Sequence, residues 1–97
     1  MQFVLTAYDR PGALSVRLET RPAHLDYLKE IAGSILVAGP MLDGEGKPCG
    51  SVIVYEAADR AAAEKLVRDD PYTKADLFES AELRGFRVVV KDGAVNA

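Results

Sequence analysis

The sequence predicts an α+β domain of ferredoxin-like topology, β-α-β-β-α-β, with a four-stranded antiparallel sheet. Three observations predict it. Short β-rich runs stand at both ends and as a pair in the middle; two helical stretches separate them; turn residues punctuate the junctions. The chain has 97 residues, 48% hydrophobic and 28% charged, which suits one domain (1–97) with a single core.

Gln2 to Tyr8, QFVLTAY, reads as the first strand, closed by the turn chemistry of Asp9-Arg10-Pro11-Gly12. Residues 13–19 form a short helical piece that Pro22 interrupts. A helix is then expected over 21–32. Thr20 caps it, and Pro22 falls in a first turn whose amides lack partners anyway. Leu25, Leu28 and Ala32 recur at spacings of three and four, and Gly33 stops it.

Residues 34–41, SILVAGPM, and 51–56, SVIVYE, read as two strands joined by the polar loop LDGEGKPCG, a hairpin with a longer connection. The alanine-rich stretch 58–69 is helical and ends at Asp70-Pro71, because the residue before a proline disfavours the α region. PYTKADLFES is a turn or short helical segment. Residues 82–91 form the last strand and 92–97 a loose tail. On that strand Phe86, Val88 and Val90 share one face and Arg87 and Val89 the other, so the sheet face away from the helices needs a cover. A second copy stacked sheet on sheet is the simplest one, and a homodimer is expected.

The formal net charge of −3 and pI near 5.1 give no basic stripe for nucleic acid, and the aromatic pattern of an RNA-recognition motif is missing. Cys49 stands alone, which excludes an intrachain disulfide and a Cys/His zinc set. With one histidine and scattered acids, no metal site is expected. GEGKPCG lacks the spacing of a phosphate-binding loop. Charges at Asp9, Arg10, Arg17 and Glu19 oppose a signal-peptide core, and no apolar run nears the roughly 20 residues of a membrane span. The expected compartment is the cytoplasm, with no membrane partner.

The chemistry gathers around RPAHLDYL, residues 21–28, which holds the single histidine. On a helical wheel Arg21 and His24 fall inside the apolar stripe of Leu25, Leu28 and Ala32, while Asp26, Lys29 and Glu30 fall opposite. A histidine on an apolar flank is often a satisfied structural residue, and Arg21 could snorkel past the edge. Yet conflicts between pattern and polarity tend to mark functional sites. A base of this kind needs a carboxylate on Nδ1. Asp70, held at a helix end by Pro71, is the best placed, with Asp69 beside it as the alternative; an Asp-Pro turn needs no chemistry of its own. Ser51, on the strand face of Ile53 and Tyr55, could donate a hydrogen bond to a ligand, or simply begin a strand. Tyr8 and Tyr72 could line a cleft, or pack.

Taken together, RPAHL (21–25), AGPM (38–41), GSVIVYE (50–56) and DDPY (69–72) resemble the YciI-like, YCII-related family, in the family's order. The resemblance implies a ferredoxin-like fold that dimerises into an α+β barrel, with a cleft in each subunit and a His-Asp pair. That pair maps onto His24 and Asp70, and Arg21 and Ser51 match further recurring positions. One branch of the family is a dehydrochlorinase on a chlorinated hydroxyquinol. The functional expectation is a small cofactor-independent lyase or isomerase, with His24 as general acid or base and Asp70 orienting it. Arg21, Ser51, Tyr8 and Tyr72 would bind a small phenolic, enolic or other anionic ligand. The alternative is a non-catalytic dimeric small-molecule-binding or regulatory module.

Overall fold

The structure, a computed structural model, describes residues 1–96. Strand β1 (Gln2–Asp9) leads into helix α1 (Leu14–Glu30) and a 3₁₀ turn (Ala32–Ser34). Strands β2 (Ile35–Leu42) and β3 (Pro48–Glu56) form a hairpin, followed by α2 (Arg60–Arg68), the one-turn helix α3 (Pro71–Lys74) and β4 (Phe78–Phe86). The four strands form one antiparallel sheet in the order β2-β3-β1-β4, which is the ferredoxin-like arrangement.

Period-two alternation builds the core. Phe3, Leu5 and Ala7 of β1 turn toward the helices, and their cross-strand partners Tyr55, Ile53 and Ser51 turn with them. Leu5, Ala7, Ile53 and Tyr55 form the fully buried cluster, covered by Leu28 of α1, by Ile31 just past its end, and by Leu66 and Val67 of α2. Asp9 follows the same alternation, so the last core-facing position of β1 is a carboxylate rather than a hydrocarbon. Asp59 caps α2, its side chain accepting a 2.9 Å hydrogen bond from the Ala62 amide. Among the described residues no helix is long and apolar enough to cross a membrane.

Three expectations need correction. The chain between Gly12 and Gly33 holds one helix of 17 residues with Pro22 inside it, rather than a short piece and a second helix begun at Thr20. Proline removes one amide donor there, and the helix runs on because its burial against the sheet outweighs that local loss. The last strand is Phe78–Phe86, because antiparallel pairing with β1 sets Phe86 opposite Gln2 and Phe78 opposite Asp9. Val88 and Val90 therefore lie beyond the sheet. Finally, the expected loose tail turns back from Asp92, and its β6 (Ala94–Val95) forms a small hairpin with β5 (Val90–Lys91) at the end of the expected last strand. Asp92 and Gly93 form its two-residue turn, both at positive φ, as a type I′ turn requires. The residue at position 97 lies outside the described chain.

Candidate active site

α1 carries the site across the open end of the sheet. Its two buried residues are polar, Arg17 and His24, and they stand two turns apart on one face with Arg21 between them. Opposite them, β3 presents Ser51, and the α2–α3 joint presents Asp70 and Tyr72. All of these but Asp70 edge a cleft of about 280 Å³ whose remaining walls are apolar, from Leu25 and Leu28 on α1 to Ala38 and Pro40 on β2.

His24 Nδ1 lies 2.8 Å from Asp70 Oδ1, and the two side chains are 10% and 4% exposed. The same oxygen accepts a 2.9 Å hydrogen bond from the Tyr72 amide, which makes Asp70 the N-cap of α3. The capping bond fixes the carboxylate, and the carboxylate fixes the imidazole. An acceptor on Nδ1 favours the tautomer with its proton there, leaving the Nε2 lone pair for the cleft. Asp69, at the C-cap of α2, does not take this place.

Tyr72 is 2% exposed and forms the floor. The His24 ring stacks on it at 3.8 Å between centroids and 16° between planes, and Phe78 meets its edge at 6.2 Å. The Arg17 guanidinium carbon sits 4.7 Å from the Tyr72 centroid, within cation–π range. Burial raises the Tyr72 pKa, and the neighbouring charge of Arg17 offsets only part of that rise.

Arg17 donates to both oxygens of Asp9, Nε to Oδ2 at 2.7 Å and Nη2 to Oδ1 at 2.9 Å. Nη2 also donates to Ser51 Oγ at 2.9 Å. Burial works against the Arg17 charge, yet the hydrogen bonds and field of Asp9 outweigh it, so its pKa lies above the ordinary arginine value. Because Ser51 Oγ accepts from Arg17, its own hydroxyl proton is left to donate. Arg21, by contrast, is exposed at the cleft edge.

Four of the six residues expected from sequence thus line one cleft, His24, Arg21, Ser51 and Tyr72, and Asp70 backs His24 from behind. The sixth does neither. Tyr8 is 55% exposed and alternates with buried Ala7, so it lies on the opposite face of the sheet, away from the cleft. Sequence reasoning missed Arg17 and Asp9. Their signal was the spacing Arg17, Arg21, His24, which forms a helical stripe only if α1 runs through Pro22. Cys49 is half-buried near the start of β3 and does not line the cleft.

Residues 1–87 match the model of the YCII-related domain. The chain belongs to the YCII family. Among YCII relatives, the protein YciI of Escherichia coli O6:H1 (strain CFT073) is 34% identical over 97 aligned residues, covering 92% of this chain and 99% of that one. The derivative of benzaldehyde biosynthesis cluster protein C of Emericella nidulans is 34% identical over 70 residues, covering 63% of this chain and 71% of that one. Among solved structures, the 5-chloro-2-hydroxyhydroquinone dehydrochlorinase of Burkholderia phenoliruptrix AC1100, in complex with 2,5-dihydroxybenzoquinone, superposes with a TM-score of 0.85. It is 34% identical, and the match covers 90% of this chain and 94% of that one.

Proposed function

We propose that this YCII protein is a small cofactor-independent acid–base enzyme, a lyase or isomerase, acting in the cytoplasm as a homodimer on a small phenolic or enolic metabolite. The observation that carries the reading is the 2.8 Å contact between Asp70 Oδ1 and Nδ1 of His24, whose ring lines a mostly apolar cleft. In this reading Nε2 takes a proton from the ligand, and Asp70 stabilises the imidazolium that results. Ser51 donates its hydroxyl proton to the oxygen on which charge develops, and Arg21 supplies the counter-charge. The apolar walls exclude water, which strengthens both contacts. A positioned proton transfer of this kind contributes about 10²–10⁴-fold in rate.

The dehydrochlorinase relative makes 5-chloro-2-hydroxyhydroquinone the first compound to try. Loss of HCl from such a ring needs a group to carry the proton and a polar contact for the ring oxygen, and His24 and Ser51 would fill those roles. Incubation in D₂O, following chloride release and deuterium entry into the ring or into enolisable probes, tests the reading. Conversion that falls by about 10²-fold or more in a folded His24→Gln protein supports it. Undiminished conversion in that variant sinks it, and tight binding without conversion would favour a binding module instead.

The dimer is supported by the sheet face away from the helices. Val4 and Val52 lie half-buried on it, with Val37 61% and Phe86 46% exposed beside them, while Val54 is already buried at 7% within the single chain. Sedimentation equilibrium of the wild type and of Val52→Lys checks this. A wild-type monomer would exclude the dimer.

A further inference from the structure

We infer, on the reading of the cleft as a ligand site, that it selects ligands carrying a single negative charge, and that Arg21 rather than Arg17 sets this selectivity. The argument is a count of charges. Arg17, Arg21 and His24 are the basic residues of the lining, and no carboxylate side chain lines it. Arg17 is closed off as a counter-ion. Two of its nitrogens lie on the two oxygens of Asp9, with side chains only 4% and 7% exposed, and one of them also serves Ser51. The pair is neutral as a unit, and its Nε and Nη2 donors already point at protein oxygens. Asp70 stands behind the imidazole and does not reach the cleft surface.

Arg21 is the remaining charge. It forms no ion pair among the described residues, and it lies at the rim, where its guanidinium can swing toward a ligand. It sits three residues before His24 on α1, which sets their Cβ atoms about 5–6 Å apart. One small ring can therefore hold an ionised group against Arg21 and a labile proton near His24 Nε2. A volume of about 280 Å³ fits one substituted ring and little more. A second negative charge on that ring would meet leucine and proline walls with no partner, at a large desolvation cost. A neutral ring would leave Arg21 in water, neither helped nor hindered. The favoured class is thus a monoanionic hydroxylated ring acid.

Calorimetric titration near neutral pH with three probes of one skeleton tests this. The probes are 2,5-dihydroxybenzoate, its neutral methyl ester, and the dianion 2,5-dihydroxyterephthalate. The wild type is expected to bind the monoanion about 10-fold more tightly than either of the others, a difference of about 1.4 kcal/mol, narrowing at high salt. Arg21→Gln should erase the preference over the ester, and Arg21→Lys should keep most of it. Equal affinity for monoanion and ester, a preference that survives Arg21→Gln, or no binding of any probe overturns the inference. Turnover plays no part in the readout. A cleft that discriminates charge but converts nothing keeps this inference while sinking the catalytic reading, and a cleft that converts ligands regardless of charge does the reverse.

Discussion

Asp70 holds His24 with the same oxygen that caps α3, so one atom joins the proposed chemistry to the local fold. The two roles separate by substitution. Asn is as good a helix cap as Asp, whereas Ala is not. Asp70→Asn should keep stability within about 1 kcal/mol in denaturant melts, because it retains the acceptor for the Tyr72 amide. The same variant should lose about 10²–10⁴-fold of any proton-transfer activity, since an amide does not stabilise an imidazolium. Asp70→Ala should cost about 1–3 kcal/mol as well, by leaving buried donors unpaired.

The Asp9–Arg17 pair should behave as a unit. Arg17→Met removes the only ion-pair partner, among the described residues, of a carboxylate that is 7% exposed, and should cost about 3–5 kcal/mol in urea unfolding. Asp9→Leu combined with Arg17→Met should recover most of that loss, because no buried charge is left alone. A double variant as unstable as Arg17→Met would show that the pair is not the source.

Beside Tyr72, two more tyrosines link stability to alkaline pH. Tyr27 donates its hydroxyl to the Leu66 carbonyl at 2.7 Å, and burial first, then the charges of Asp69 and Asp70, push its pKa from 10 up to about 12. Burial raises Tyr55 too, its hydroxyl being buried without a hydrogen-bond partner. Both folded values exceed the unfolded one, so the folded state favours the protonated form. Their contribution is complete below the unfolded pKa near 10 and is lost as pH rises toward 12 and beyond. Unfolding midpoints followed across that range should fall, and Tyr27→Phe should flatten the slope while costing about 1 kcal/mol at neutral pH. Tyr55→Phe should be neutral or stabilising, since it removes an unsatisfied hydroxyl.

Gly50→Ala should disturb the strand that carries Ser51. A Cβ at Gly50 would stand 2.5 Å from the Ala7 carbonyl oxygen and 2.5 Å from the end of Met41. The methionine can move; the backbone oxygen of β1 cannot do so without shifting β3 away. A loss of about 1–3 kcal/mol in thermal melts is expected. An unchanged melting temperature would mean that β1 and β3 part freely there.

The sheet was legible because alternation and turn residues act locally: QFVLTAY and SVIVYE carry their own period, and Gly39-Pro40 did not obscure the hairpin. The helix was harder. Pro22 is a strong local signal for a break, but the packing of α1 against the sheet overrides it, and that packing is not visible from neighbouring residues. Splitting α1 hid Arg17, and with it Asp9, whose inward turn follows from β1 alternation only once a partner is known. At the other end, the run Val88 to Val90 drew the last strand too far, whereas pairing with β1 decides where β4 stops. Asp92-Gly93 is a hairpin signal in the sequence, but the strands it joins are only two residues each, too short to show a period of their own. His24 and Asp70 lie 46 residues apart, and their meeting depends on how α1 crosses α3.

The stack of His24 on Tyr72 turns the cleft into an optical instrument. The chain has no tryptophan and four tyrosines, so its near-ultraviolet emission comes from phenols alone. Only one of those phenols lies face to face with an imidazole, at 3.8 Å. A change of charge on that ring, or a ligand lodged beside it, alters the quenching of Tyr72 directly. The protein therefore reports on its own cleft without a label.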